Sequence, residues 1–132
     1  METSGDQINK KVNVPEIGNQ FIAFYFQSLN ANIQKLYESS TIKPHTRLKY
    51  RNIEYKDEQL KVVLQQIGSQ LNFIIEESIV MDSGARRADI LVNGYIVPNN
   101  NNTKKVRFAQ YFTIANNNKE WFIHNTLLSI LE

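Results

Sequence analysis

LKVVLQQIGSQLNFIIEESIVMDSG, residues 60–84, contains the change of hydrophobic period that decides the fold. Before Gly68 the apolar residues recur at spacings of three and four, as on one face of an α-helix: Leu60, Val63, Leu64 and Ile67. After Gly68 they alternate with other side chains, as in a half-buried strand: Leu71, Phe73 and Ile75. We therefore expect a helix that is capped at Asp57 and stopped at Gly68, followed by a strand that runs to a turn at residues 82–84.

The sequence before this segment predicts two further helices. Pro15 suits the first turn of a helix, and an apolar stripe at helical spacing follows it: Ile17, Phe21, Phe24, Tyr25 and Leu29. Residues 30–37 predict a second, short helix. Pro44 prevents this helix from extending further along the chain. Residues 46–55 predict a short strand with an irregular connection. Residues 1–14 offer almost nothing to bury and are expected to form a flexible tail, which leaves residues 15–132 as a single domain.

The sequence after this segment predicts a meander of long strands. The core face of the next strand carries Ala88, Ile90, Val92 and Ile96, and that of the following strand carries Val106, Phe108, Phe112 and Ile114. Residues 99–103 predict a hairpin loop, residues 116–118 a tight turn, and residues 121–131 the last strand. Helices followed by such a meander predict an α+β architecture, with three N-terminal helices packed on one antiparallel sheet.

The strand faces that point away from the predicted core are also apolar. We assign to them Leu91, Tyr95, Tyr111, Trp121 and Ile123. An antiparallel sheet commonly leaves one face to water, and a large apolar patch on such a face marks an interaction site. We therefore predict a homodimer that packs through this face of the sheet, with these five residues in its interface.

Composition restricts the function classes. The chain has 132 residues, 42% of them hydrophobic, and no cysteine, so it can build a core but no disulfide or thiolate metal site. His45 and His124 are far apart in sequence, and we expect no metal and no cofactor. The apolar runs are too short to span a membrane and the N-terminus lacks the core of a signal peptide, which predicts a cytoplasmic or nuclear protein. A net charge of +2 in small basic groups predicts at most weak contact with RNA.

Residues that could carry catalysis each have a structural interpretation. His124 lies in the last strand, and we interpret it as a hydrogen-bonded, half-buried histidine. Glu76 and Glu77 are adjacent on a strand, so their side chains are expected to point to opposite faces. Asp89 is expected to pair with Arg87 on the same face of its strand rather than to line a cavity. These patterns predict a domain that is not an enzyme.

Several strings resemble the nuclear transport factor 2-like family over residues 15–132. IGNQFIAFYFQSLN at 17–30 resembles the first helix of that family, and LYESST at 36–41 resembles its passage from helix to strand. KKVRFAQYFTIANNNKEWFIHNTLLSILE at 104–132 resembles the branch of Ras-GAP-binding stress-granule scaffolds and fungal deubiquitinase cofactors. The resemblance implies a cone-shaped fold, in which the helices pack on a strongly curved antiparallel sheet.

The same resemblance implies a function and a binding site. This branch takes phenylalanine–glycine motifs into a groove between the first helix, the second helix and the last strand. The matching positions are Phe21, Lys35, Leu36 and Leu128, where the two leucines replace aromatic residues of the branch. The implied function is a dimeric adaptor for a deubiquitinase or a ribonucleoprotein-granule scaffold. RNA is expected only indirectly or through domains outside this chain.

Two alternatives from the same fold stay open. A nuclear transport factor would bind nucleoporin repeats and carry Ran or messenger RNA, but the acidic pair that holds Ran in the family's namesake has no counterpart in the loop PNNNNTKK at 98–105. An isomerase or dehydratase would need a tyrosine and an acid together in a water-poor cavity. The candidates for that pair are Tyr25, Tyr37, Glu77 and Asp89. We expect Phe73, Phe108 and Phe112 to fill the cone instead.

Overall fold

The computed structural model describes residues 13–84, 86–101 and 103–131, which form three helices and six strands. The helices are α1 (Val14–Ala31), α2 (Gln34–Glu38) and α3 (Asp57–Gln70). The strands are β1 (Ile42–Tyr50), β2 (Ile53–Tyr55), β3 (Leu71–Gly84), β4 (Arg87–Pro98), β5 (Val106–Asn116) and β6 (Trp121–Leu131). The α+β class, with helices packed against one sheet, is confirmed. Of the predicted tail, the structure describes only Asn13, which caps α1, and Val14, which begins it.

The six strands form one sheet in the order β2-β1-β6-β5-β4-β3. Strands β3 to β6 form the predicted antiparallel meander, and β2 pairs antiparallel with β1. The prediction of a purely antiparallel sheet is wrong, because β1 runs parallel to β6, with Leu48 opposite Thr126. The chain between these two strands includes α3 and four strands, so no hairpin fixes their relative direction.

Helix α1 begins where the sequence can satisfy its first free N–H groups. The Asn13 side-chain oxygen accepts the N–H of Glu16 at 3.1 Å, and Pro15 occupies the first turn. The buried face of α1 is wider than a single stripe and includes Phe21, Ile22, Tyr25, Phe26 and Leu29. This wide apolar face holds α1 against the sheet.

Gly68 does not stop α3, as the sequence predicts, but lies inside the helix, which continues to Gln70. A Cβ atom at position 68 would lie 2.4 Å from the backbone oxygen of Leu29 in α1. The glycine is therefore required by the close approach of two helices and not by a left-handed helix end. Asp57, predicted to be the cap, is the first helical residue, and Lys56 occupies the capping position.

The segment after α2 forms two strands, where the sequence predicts one short strand over residues 46–55. Strand β1 already begins at Ile42, and its pairing with β6 is irregular between Ile42 and Arg47. Arg51 and Asn52 connect β1 to β2 with φ values of 55° and 65°. Two consecutive positive φ values suit a two-residue hairpin, because their twist matches that of the flanking strands.

An aromatic core fills the space between α1 and the inner face of the sheet. Phe112 is fully buried, and its ring lies edge-on to that of Tyr25 with 5.0 Å between the centroids. The rings of Phe73 and Phe108 meet in the same way at 5.0 Å, and both lie against Phe26. The prediction that Phe73, Phe108 and Phe112 fill the cone is confirmed.

Two β-bulges change which residues face this core. In β3 the pairing with β4 skips Glu76, opposite Gly94. In β6 the pairing with β5 skips His124. A bulge adds one residue to one strand, so the side chains beyond it exchange faces. Beyond these positions, an unbroken alternation along the sequence therefore assigns side chains to the wrong face of the sheet.

Candidate functional site

The outer face of the sheet, which points away from the core, carries a row of exposed apolar side chains. Ile79, Leu91, Tyr111 and Leu127 lie opposite one another on β3, β4, β5 and β6. Each is between 39% and 48% exposed. Residues directly opposite in an antiparallel ladder have Cβ atoms about 5 Å apart. The four side chains therefore form one continuous apolar strip, called here the outer row.

Further apolar and charged residues border the outer row. Leu131 and Met81 are also exposed. Tyr95 lies beneath two cations, with the Arg107 guanidinium 4.8 Å and the Lys105 Nζ 5.6 Å from its ring centroid. Arg107 also pairs with a Glu76 carboxylate oxygen at 3.7 Å. An apolar centre with a charged rim has the anatomy of a protein interface.

On the other side of the outer row, Asp89 organises a group of hydroxyl side chains. Its carboxylate accepts hydrogen bonds from Ser83 at 2.5 Å and from Thr113 at 3.1 Å. The Ser83 hydrogen bond is the largest cause that lowers the pKa of Asp89, and partial burial opposes it. Tyr111 and Thr113 lower this pKa further by hydrogen bonding, and Arg87 does so by its charge. The predicted partner Arg87 is thus a neighbour of Asp89 rather than its principal contact.

The five residues predicted at the dimer interface do not share one face. Three lie on the outer face: Leu91, Tyr95 and Tyr111. Ile123 is fully buried in the core, so its assignment to the interface is wrong. Trp121 precedes it by two residues on the same side of β6 and packs against the core, so its assignment is also wrong. After the bulge at His124, the side chains of β6 alternate in the opposite phase. Leu127 therefore belongs to the outer row, whereas Ile123 faces the core. The dimer itself stays a prediction.

The predicted peptide groove is closed by its own side chains. Leu36 is fully buried, Leu128 is 4% exposed and Phe21 is 9% exposed, and all three belong to the hydrophobic core. Lys35 is the exposed member of the predicted set. The helices α1 and α2 are in contact, as the resemblance implies. A peptide side chain would therefore enter between them only after Phe21 or Leu128 changes position.

Glu76 and Glu77 point to the same side of the sheet, so the prediction of opposite faces is wrong. Glu76 pairs with Arg107, and a carboxylate oxygen of Glu77 accepts a hydrogen bond from the Asn93 amide at 3.1 Å. Both partners belong to the outer face. The bulge at Glu76 removes the alternation on which the prediction rests.

The two tyrosines that the sequence offers for catalysis, Tyr25 and Tyr37, lie away from Glu77 and Asp89. Burial raises the pKa of Tyr25 far above its ordinary value, although a hydrogen bond with Gln110 opposes this effect. Burial also raises the pKa of Tyr37 to about 12, and its hydroxyl oxygen has no hydrogen-bond partner among the described residues. Both phenols stay protonated at neutral pH. Glu77 and Asp89 lie on the outer face, so neither Tyr25 nor Tyr37 pairs with either acid in a cavity.

The two histidines, distant in sequence, meet at one end of the sheet. Strands β1 and β6 are neighbours, and the ring centroids of His45 and His124 are 5.8 Å apart. His45 also meets the ring of Phe122 edge-on at 5.2 Å. Partial burial lowers the pKa of His124, and the charges of Arg87, His45 and Arg47 lower it further. His124 is exposed, so the expectation of a half-buried residue is wrong.

Two other kinds of site find no support over residues 13–84, 86–101 and 103–131. No group of three or more histidine, aspartate or glutamate side chains there could hold a metal ion. None of the helices in these ranges is long and apolar enough to cross a membrane.

Two members of the outer row, Ile79 and Leu127, are absent from the predicted interface. Both lie beyond a bulge, where the period of two changes phase. A signal for them exists in the sequence. The runs at 79–81 and 127–128 contain consecutive apolar residues, so either phase of the alternation leaves an apolar side chain on the outer face.

Comparison with known proteins finds relatives of this fold. The family model of the nuclear transport factor 2 (NTF2) domain matches residues 17–130. NTF2 from Cryptosporidium parvum superposes with a TM-score of 0.72 at 19% identity, over 93% of this chain and 98% of its own. A chain of the yeast complex of the deubiquitinase Ubp3 and its cofactor Bre5 gives 0.75 at 14% identity, over 92% and 99%. A ketosteroid isomerase candidate from Shewanella frigidimarina gives 0.71 at 8% identity, over 91% and 100%.

At these identities the superpositions show the fold and not the activity. The same fold serves a transport factor, a deubiquitinase cofactor and an enzyme family. No curated protein sequence matches the chain. The function must therefore be argued from the surfaces of this chain.

Proposed function

Because the chain belongs to the nuclear transport factor 2 domain family, we propose that it is a non-catalytic domain that dimerises through its sheet and binds segments of partner proteins. The observation that carries the proposal is the outer row of Ile79, Leu91, Tyr111 and Leu127. Covering exposed apolar surface contributes about 25 cal/mol per Å². A two-fold axis through the sheet places the outer row of one copy on that of the other, which covers both at once.

The filling of the core supports binding over catalysis. Phenylalanine side chains occupy the space between α1 and the sheet, where an isomerase or dehydratase would hold its substrate. The acids Glu77 and Asp89 are engaged by Asn93 and by Ser83 on the outer face. An enzyme of this fold would need acids that converge in a cavity.

The proposed partner class is a deubiquitinase or a ribonucleoprotein-granule scaffold, and the proposed place of action is the cytoplasm, with the nucleus as a second location. The likeness to a chain of the Ubp3–Bre5 complex supports this class. Carriage of Ran is the less favoured alternative, because Lys104 and Lys105 give the loop at 98–105 the opposite charge to the acidic pair required. Phe21, Lys35, Leu36 and Leu128 are proposed as the site at which a phenylalanine–glycine motif enters.

A peptide titration of Lys35→Glu tests this groove. Lys35 is exposed, so its replacement reverses a charge without removing buried surface. Phe21→Ala is a poorer test, because truncating a buried phenylalanine costs about 3–5 kcal/mol of stability. In isothermal titration with an acidic peptide that contains a phenylalanine–glycine motif, we expect micromolar affinity for the unaltered chain. We expect at least about fivefold weaker binding by Lys35→Glu, because complementary charge is lost.

Two variants control this titration. Lys119→Glu reverses an exposed charge in the β5–β6 turn and should bind like the unaltered chain. Leu91→Glu alters the outer row and should also leave peptide binding unchanged. An absence of heat with the unaltered chain, or an equal loss in the two lysine variants, would contradict the proposed groove.

A further inference from the structure

A cavity of about 510 Å³ lies at one end of the sheet, between the β3–β4 turn, the β5–β6 turn and the start of α1. We call it the sheet-end pocket. Its polar and aromatic lining consists of Asp82, Arg86, Arg87, Asn116, Asn118 and Trp121. Its volume is within the range of ligand pockets, about 300–1,000 Å³. Neither the outer row nor the peptide groove makes use of it.

The walls of the sheet-end pocket are tied together before any ligand arrives. The Asn116 N–H donates to the Arg86 carbonyl oxygen at 2.9 Å, and the Arg86 guanidinium donates to the side-chain oxygen of Asn118. Arg86 and Asn118 have left-handed φ values of 62° and 84°. Such values are uncommon for residues other than glycine. Arg86 is thus bonded to the β5–β6 turn through both its backbone and its side chain.

Positive charge dominates the lining. Arg86 is bonded to a neutral amide. Arg87 lies near the Asp89 carboxylate, whose pKa its charge lowers, but it forms no ion pair with the part of the chain that the structure describes. Asp82 carries the opposing charge, but one of its carboxylate oxygens accepts the Gly84 N–H at 2.8 Å within the same turn. Guanidinium groups match the geometry of phosphate oxygens and bind them through paired hydrogen bonds. The pocket is therefore suited to a phosphate group.

Trp121 adds a flat apolar wall beside these arginines. One part of the indole packs against the core and another part is exposed in the pocket. Every nucleobase has a π-face that stacks on such a ring. The side-chain oxygens of Asn116 and Asn118 accept hydrogen bonds from the Asn118 N–H and from Arg86, so their amide NH₂ groups are the donors that can meet the edge of a base.

A second aromatic position lies on the outer side of the same sheet end. Phe122 follows Trp121, and the Lys43 Nζ lies 5.8 Å from its ring centroid and pairs with a Glu120 carboxylate oxygen at 3.0 Å. His45 contacts the same ring, and His124 lies beside His45. Rings that alternate with cations along a surface form the platform on which single-stranded nucleic acid stacks.

We propose that the sheet-end pocket binds single-stranded nucleic acid, with one base stacked on Trp121 and the adjoining phosphates held by Arg86 and Arg87. A strand that continues over the sheet end would place its next base on Phe122. A phosphorylated peptide would satisfy the arginines but would bring no base to the indole, so the lining favours nucleic acid. This direct contact differs from the indirect association with RNA that the sequence predicts.

The pocket can be observed directly, because Trp121 is the single tryptophan of the chain. We expect a ten-nucleotide oligouridylate to quench the tryptophan fluorescence in a saturable manner. In fluorescence anisotropy with the labelled oligonucleotide, Arg87→Gln should bind about fivefold more weakly, and its affinity should depend less on salt. Trp121→Leu should bind about tenfold more weakly through lost stacking. Circular dichroism checks that each variant is folded. If Trp121→Leu does not fold, Arg87→Gln still tests the proposal, because Arg87 is exposed.

Lys119→Gln is the matched control, since it removes one exposed positive charge from the β5–β6 turn at a residue that does not line the pocket. It should weaken binding by less than about twofold. The proposal is overturned if Lys119→Gln and Arg87→Gln lose affinity equally, or if the oligonucleotide leaves the fluorescence unchanged. It is also overturned if inorganic phosphate or a phosphoserine peptide quenches the fluorescence at the same concentrations as the oligonucleotide.

Discussion

Gly94→Ala is expected to destabilise the protein by about 3 kcal/mol, because the backbone of β3 approaches Gly94 closely at the bulge of β3. A Cβ atom on Gly94 would lie 2.0 Å from the Ile74 carbonyl oxygen and 3.0 Å from the Glu76 nitrogen. These are backbone atoms, which cannot move aside as a flexible side chain can. To make room for the Cβ atom, the backbone of β3 would have to move away from β4. Urea denaturation followed by circular dichroism measures the loss.

Gly84→Ala separates this steric effect from the conformational effect of losing a glycine. Gly84 has a φ of 72°, and a Cβ atom there would meet nothing within 4 Å. Its replacement should cost about 1 kcal/mol, since only the left-handed backbone is strained. If the two variants lose the same stability, the close approach at Gly94 is not what fixes the bulge.

Phe112→Ala is expected to destabilise the protein by about 4 kcal/mol, because it empties the centre of the cone. Phe112 is fully buried and contacts the rings of Tyr25 and Phe26 at 5.0 and 6.1 Å between centroids. Truncation removes this apolar surface and leaves a cavity that the surrounding rings fill only in part. The loss is again measured by urea denaturation.

Phe122→Ala is the control for this prediction. Phe122 lies in β6 and keeps part of its surface exposed, so its loss should cost about 1 kcal/mol. A cost near that value for Phe112→Ala as well would mean that the cone is not closely packed. The cone would then have room for an internal substrate.

The period change at Gly68 and the apolar stripe of α1 were sufficient to predict the fold class, because both patterns follow from burial on one face of an element. The role of Gly68 was not predictable, since the backbone of Leu29 that approaches it is distant in sequence. The parallel pairing of β1 with β6 was missed for the same kind of reason, because no local signal sets the direction of strands joined by a long connection.

The candidate surfaces were predicted only up to the bulges. Leu91 and Tyr111 were assigned to the outer face correctly, because the alternation in β4 and β5 holds there. Ile123 was misassigned, because the bulge at His124 changes the phase of β6. The resemblance implies that Leu36 is a groove position, but it does not predict that Leu36 is completely buried. That burial depends on how the side chains around Leu36 pack.

Sedimentation equilibrium at high micromolar concentration shows whether the chain dimerises through the outer row. The unaltered chain should give twice the monomer mass of 15.3 kDa. Leu91→Glu combined with Leu127→Glu should return it to the monomer mass, because charges would be buried without partners. Val62→Glu, at a 54% exposed apolar position on α3, should leave the dimer intact. A mass of 15.3 kDa for the unaltered chain at that concentration would contradict the account.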